Sequence, residues 1–364
     1  MTSVKHINQI FFHPNAFKQL KIRIDSLGFK NREVAYFIDK FFEKETGKLD
    51  FNFKNAGAVF FHSTKEEPTV EIIDSYTKLI KENKLNFNLI VAIGGGATLD
   101  VGKAVSNMLT NKGIAEDYQG WDIVKQKGVY KIGIPTISGT GAESSRTCVL
   151  TNKRKNIKMG MNSHFSVYDE LILDPDLTSS VPFKQYFYTA MDTYIHCIES
   201  LNGHLRNLLS DTFSHSALNL CRKVFSSEDP QSDENRERLM LASYFGGVSI
   251  ANSMVGLIHP FSAGLSSVFG SHHCVSNCIV MLSMEDYYPN EVKEFKRFVE
   301  RYKVSFPVIN KKPLNEKTFI KLYEATIVHE KPLRNALGED FKSILTFEKV
   351  VALFQKILTI NARI

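Results

Sequence analysis

A chain of 364 residues, 43% hydrophobic and 23% charged, has the balance of a soluble globular protein, with enough length for two domains and a large core. Its net charge of +6, carried without any dense Lys/Arg run, leans weakly toward anionic ligands and excludes a nucleic-acid footprint. The opening MTSVKHINQIFFHPNAF lacks a signal-peptide apolar core, no apolar run reaches membrane-spanning length, and the five cysteines (Cys148, Cys197, Cys221, Cys274, Cys278) form no disulfide framework. The expectation is a cytoplasmic protein without membrane insertion.

In chain order, VAYFI (34–38) predicts a short apolar strand ending at Asp39, and AGAVFF (56–61) repeats the pattern. TVEIIDSYTKLIKEN (69–83) reads as helix. NLIVAIGGGATLDVGKAVSNMLTN (88–111) then runs strand, glycine turn, helix, and KIGIPTI (131–137) is the next strand. Strands alternating with helices imply a parallel sheet covered on both faces.

Gly94, Gly95 and Gly96 stand where a strand hands over to a helix. Bare backbone there admits a pyrophosphate, and the helix amides receive its charge. An ordinary strand-to-helix turn would use the same glycines, and G-x-G-x-x-G is absent. Asp100, one turn on, either holds the turn or touches a cofactor. In IPTISGTGAESSRT (134–147), Thr136, Ser138, Thr140 and Gly141 offer hydroxyls and free backbone for phosphate or ribose. Asp39 suits an adenine-ribose hydroxyl and repels a 2′-phosphate, although a strand-terminal Asp is also a turn former.

DLTSSVP (176–182) supplies caps and a proline near a helix start, which sets the boundary between domains at 1–180 and 181–364. Beyond it almost everything reads as helix. In FKQYFYTAMDTYIHCIESL (183–201), Asp192 and His196 stand four apart and leave one helix face. That spacing describes either a solvated polar pair or two donors to one cation. His259 in GLIHPFSAG and His273 in GSHHCVSN would complete a four-donor set. Pro260 predicts a break just after His259. His204, His215, His272 and His329 read as surface or packing residues, His164 as a pocket residue, and Arg146 and Arg206 as carboxylate grips or salt-bridge partners. A zinc site at Cys274 and Cys278 has the wrong spacing for a knuckle.

GGGATLD (94–100), PTISGTGAE (135–143), DPDL (174–177), the Asp192/His196 pair, His259 and His273 together resemble the iron-containing (group III) alcohol dehydrogenases. The resemblance implies a dehydroquinate synthase-like fold: an α/β N-terminal nucleotide-binding domain with a parallel sheet, then an all-α C-terminal metal-binding domain. It implies a divalent metal (Fe2+ or Zn2+) on Asp192, His196, His259 and His273. It implies NAD, or NADP, on Gly94, Gly95, Gly96, Asp100, Thr136, Ser138 and Thr140, with Asp39 favouring NAD and Lys158 near the nicotinamide ribose. It also implies a homodimer acting on a small-molecule alcohol or sugar acid.

Within the family, AEDYQGWDIVKQKGVYKIGIPTISGTGAESSRTCVLTN (115–152), GMNSHFSVYDELILDP (160–175) and VHEKPLRNALGEDF (328–341) resemble the branch that oxidises the C8 hydroxyl of 3-deoxy-D-manno-octulosonate (Kdo). That branch feeds a downstream aminotransferase on the way to an 8-amino sugar of lipopolysaccharide. Alternatives are a dehydrogenase of a simple alcohol or diol, a dehydroquinate synthase-like cyclase, or a non-catalytic scaffold. Two positions depart from the family pattern: Ala263 stands where many members carry a further histidine, and Cys274 where the usual residue is glycine.

Overall fold

The computed structural model describes residues 7–45, 49, 51–65, 67–309 and 314–361; residues 1–6 of the opening stretch read above lie outside them. The chain forms two compact units. The first comprises 1–153, 159–181 and 231–240, and the second 154–158, 182–230 and 241–364.

The first unit carries the strands β1 (Gln9–Phe12), β2 (Val34–Asp39), β3 (Ala58–His62), β4 (Leu89–Gly94), β5 (Gly120–Trp121), β6 (Tyr130–Pro135), β7 (Thr147–Asn152), β8 (Ile157–Asn162) and β9 (Glu170–Leu173). Strand β8 starts on residues assigned to the second unit. The main sheet runs β1-β9-β6-β4-β2-β3 with every neighbouring pair parallel, and β5-β8-β7 make a small second sheet. Its helices are α1 (Gln19–Ser26), α2 (Val70–Glu82) and α3 (Gly96–Thr110).

All six residues of the β4 run LIVAIG are buried, as expected for a central parallel strand covered on both faces. Alternation along the strands splits the apolar side chains into two layers. Ala35, Phe37 and Ile90 pack with Ile73 and Ile80 of α2 and Val101, Val105 and Met108 of α3. Tyr36, Ile38, Val91 and Ile93 pack on the opposite face with Leu20 and Ile24 of α1. The strand expected over 131–137 ends at Pro135, because the chain turns into the loop that follows.

Lys103 of α3 is fully buried and stitches this helix to β7. Its Nζ donates to Thr147 O at 2.7 Å and lies 3.4 Å from Asp100 Oδ1, while Asp100 Oδ2 accepts from Val149 N at 2.9 Å. Burial pushes the Asp100 carboxyl up, and Lys103 opposes that shift. Lys103→Met should therefore destabilise the protein by about 3 kcal/mol, the low end for breaking a buried pair, since the stranded carboxyl can protonate. A melting temperature equal to that of the parent protein would refute this.

The second unit contains α4 (Phe183–Asn202), α5 (Leu208–Ser226), most of α6 (Asp233–Asn252), α7 (Ile258–Phe269), α8 (His273–Met281), α9 (Pro289–Arg301), α10 (Glu316–Ile327), α11 (Glu330–Leu337), α12 (Phe341–Ile344) and α13 (Phe347–Asn361). The fold is thus an N-terminal parallel α/β unit followed by a helical one. Helix α4 is buried without interruption from Tyr186 to Ser200, wrapped by its neighbours rather than exposing a polar face. The break expected after His259 lies before it, over 253–257. Pro260 falls in the first turn of α7, where a missing N–H costs no intrahelical bond.

Candidate functional site

Helix α4 presents Asp192, His196 and Glu199 at i, i+4 and i+7, one stripe on one face. The first turn of α7 adds His259, and α8 opens on His273. One ligand atom each from Asp192, His196 and His259 lies within 4.8 Å of the others, the spread that a single cation bridges. His196 Nε2 is 3.6 Å and His259 Nε2 3.5 Å from Asp192 Oδ1. The His196 and His259 rings stack at 4.7 Å between centroids. His273 stands at the rim of this cluster, its Nε2 3.7 Å from Asp192 Oδ2.

Behind these groups sit three residues that the sequence reading left without a role at the site or saw only as a departure. The Glu199 carboxylate accepts from His259 Nδ1–H and, at 2.5 Å, from Ile258 N. That bond keeps a proton on His259 Nδ1, so Nε2 faces Asp192 and His196 and is the nitrogen that gives up its proton to take a cation. The signal was available, because Glu199 prolongs the Asp192/His196 stripe by one further helical turn. Asn277 of α8 places Nδ2 2.6 Å from Asp192 Oδ1. The Cys274 thiol donates to Asp192 Oδ2 at 3.6 Å, which is what the departure from glycine introduces.

Asp192 and Glu199 are 0% and 1% exposed, so two carboxylates are buried together. With every imidazole neutral, as cation binding requires, the two carboxylates carry two negative charges, and burial of unbalanced charge is costly unless a cation meets it; in the metal-free cluster a proton on His259 offsets one of them. The pKa shifts follow. Burial raises Asp192, but His196, His273 and His259 outweigh it and hold the carboxyl far below the usual range. Burial pushes His196 down to about 4. Burial also works to lower His259, yet Glu199 and Asp192 lift it to about 9. His196 Nδ1 and Asn277 Oδ1 are buried without a hydrogen-bond partner. A carboxylate, three imidazoles and this negative balance suit a divalent cation such as Fe2+ or Zn2+.

In the first unit, the glycine turn follows β4 at the carboxyl edge of the sheet, and α3 begins at Gly96. The turn and the β6–β7 loop are packed closely. A Cβ on Gly96 would lie 2.8 Å from Thr140 Oγ1, and one on Gly94 would lie 2.7 Å from Thr98 Cβ and 3.0 Å from Asp39 Cβ. Thr136 N donates to Gly94 O at 3.0 Å, and Ser138 Oγ is buried without a hydrogen-bond partner. Gly95 caps the helix, and the amides of its first turn have no intrahelical acceptors. Asp39 accepts from Phe41 N at 3.0 Å and from Thr64 Oγ1 at 3.3 Å, so it does form a turn. Asp100 is held by Lys103 and Val149, as described above.

The remaining side chains divide cleanly. His204, His215 and His272 are exposed and His164 is half-buried. His329 is half-buried, and its Nε2 is enclosed without a hydrogen-bond partner. Burial, then the nearby charges of Lys158 and His259, push it down to about 4. Lys158 itself is buried in β8. Arg146 pairs with Asp122 beside Trp121, and Arg206 with Asp211 at 2.8 Å, so both take part in salt bridges. All five cysteines are buried thiols outside any disulfide. Among the described residues, no helix is long and apolar enough to cross a membrane.

Comparison with known proteins agrees with this arrangement. Residues 8–175 match the iron-containing alcohol dehydrogenase family, and residues 186–322 match the C-terminal part of the Fe-containing alcohol dehydrogenase family. The NAD-dependent methanol dehydrogenase of Bacillus methanolicus is 27% identical over 273 residues, covering 73% of this chain and 70% of that protein. The sulfoacetaldehyde reductase of Bilophila wadsworthia is 30% identical over 203 residues, covering 55% of this chain and about half, 51%, of that protein's length. The solved sulfoacetaldehyde reductase of Bifidobacterium kashiwanohense, in complex with NAD+, superposes with a TM-score of 0.80 at 21% identity over 99% of each chain. With a glycine turn on a parallel sheet, a carboxylate–histidine cluster in a helical unit, and both family matches in that order, the chain belongs to the iron-containing alcohol dehydrogenase family.

Proposed function

We propose that the protein is a metal-dependent, NAD-linked dehydrogenase that oxidises a primary alcohol to an aldehyde. The observation carrying this reading is the Asp192/His196/His259 cluster, buried at its first two members, with Glu199 behind it, in a member of this family. Asp192, His196, His259 and His273 would hold the cation, and Glu199 keeps His259 in the ligand tautomer. Gly94, Gly95, Gly96 and the first amides of α3 would take the pyrophosphate, with Thr136, Ser138 and Thr140 supplying hydroxyls. Asp39 favours NAD over NADP, and Lys158 would lie toward the nicotinamide ribose. Asp100 and Lys103 act beneath these groups by fixing the loop that leads into β7. When bound, a divalent cation supplies a Lewis acid for an alcohol oxygen, and a nicotinamide supplies the hydride acceptor. The chain's own contribution is donor placement, tautomer control and a buried, charged setting in which electrostatic effects are strong.

For the substrate we propose Kdo oxidised at C8, on the strength of the stretches 115–152, 160–175 and 328–341. Its aldehyde product would suit an aminotransferase. A simple alcohol or diol is the second reading, favoured by relatives that are named for methanol and sulfoacetaldehyde. The test is NADH formation by metal-loaded protein given Kdo, methanol or 1,3-propanediol, with a chelated sample beside each. Chelator-sensitive turnover of Kdo supports the whole proposal. Turnover of the small alcohols alone removes Kdo and keeps the dehydrogenase, and silence with all three removes both.

A further inference from the structure

Asn277 lies four residues after His273, on the same face of α8, and is fully buried. Its Nδ2 is 2.6 Å from Asp192 Oδ1, 3.2 Å from His259 Nε2 and 3.2 Å from His273 Nε2. One amide nitrogen therefore faces an atom of three of the four residues assigned to the cation. The carboxamide cannot be turned the other way, because an amide oxygen 2.6 Å from a carboxylate oxygen would set two acceptors against each other.

The bonding is lopsided. The amide N–H2 faces one carboxylate oxygen and two imidazole nitrogens, while Asn277 Oδ1 is buried without any hydrogen-bond partner. Leaving such an oxygen unsatisfied costs about 1–3 kcal/mol. A leucine of similar size would fill the same space without that cost. Packing alone therefore gives no reason for an amide here, whereas service to the ligand atoms does. The short bond to a carboxylate is charge-assisted and dominates the two longer contacts to the imidazoles.

We propose that Asn277 is a positioning residue of the cation site, whose amide hydrogens hold the Asp192 carboxylate in its ligand orientation before a cation enters. The longer contacts to His259 and His273 give way on binding, and the bond to Asp192 stays. This inference rests on the metal reading above and adds to it a residue that is not itself a ligand. Losing a partner that orients a ligand typically weakens metal affinity 10–100-fold.

The experiment titrates metal-free parent, Asn277→Leu and Asn277→Ala proteins with Zn2+ against a chromogenic chelator. Circular dichroism of each metal-free protein and the visible spectrum of each Co2+-loaded one are recorded alongside. Both variants should keep the parent fold, bind Zn2+ about 10–100-fold more weakly and show altered Co2+ bands as Asp192 reorients. Asn277→Leu with parent affinity and parent Co2+ bands would overturn the proposal. So would loss of the metal-free fold in both variants, which would make Asn277 a structural residue only. A parent protein that binds neither metal would instead overturn the metal reading.

Discussion

His259→Ala should abolish tight cation binding and leave no NADH formation above that of a chelated sample. The four-donor sites of small zinc domains bind with about 10–16 kcal/mol, so one donor is worth on the order of 3–4 kcal/mol, or two to three decades of affinity. His259 also bonds Glu199, whose carboxylate would keep only Ile258 N–H as a partner. That adds a stability cost of roughly 3 kcal/mol, visible as a melting temperature several degrees lower with the fold intact. Metal content, circular dichroism and turnover on one preparation check all three. Full activity in this variant would remove His259 from the ligand set.

Glu199→Gln should weaken cation binding about 10–100-fold while leaving every ligand in place. The carboxylate accepts two bonds, from His259 Nδ1–H and from Ile258 N–H. A carboxamide can accept one of them but turns its own N–H2 toward the other donor. The imidazole then loses its anchor and the charge that helps lift it to about 9. Two readouts separate this from general damage: Zn2+ affinity by chelator competition, and the His259 titration in the metal-free protein by NMR, which should move down. An unchanged titration midpoint would show that Glu199 does not control this ring.

Much of this was legible in the sequence because the relevant spacings are local. Asp192 and His196 share a helix face by arithmetic, and the strand–glycine–helix run at 88–111 states its own geometry. Glu199 was equally readable, three positions past His196, but an acidic residue on a helix is ordinary until a histidine from α7 meets it. Long-range meetings were hidden. Nothing local says that Asn277 reaches Asp192, or that the half-buried His329 feels the charges of Lys158 and His259. Pro260 misled because a proline in the first helical turn and one that breaks a helix look alike in sequence. Only the start of α7 at Ile258 separates them.

Asp192, His196 and Glu199 all ride on one buried helix, so their mutual placement depends on residue count as much as on residue type. Each residue advances a helix by about 100°. An in-frame codon deletion anywhere from Thr193 to Ile195 would swing Asp192 away from the other two. One at Cys197 or Ile198 would swing Glu199 away instead. The lineage of this enzyme can therefore explore new side chains within the stripe, but changes of length there are closed to it.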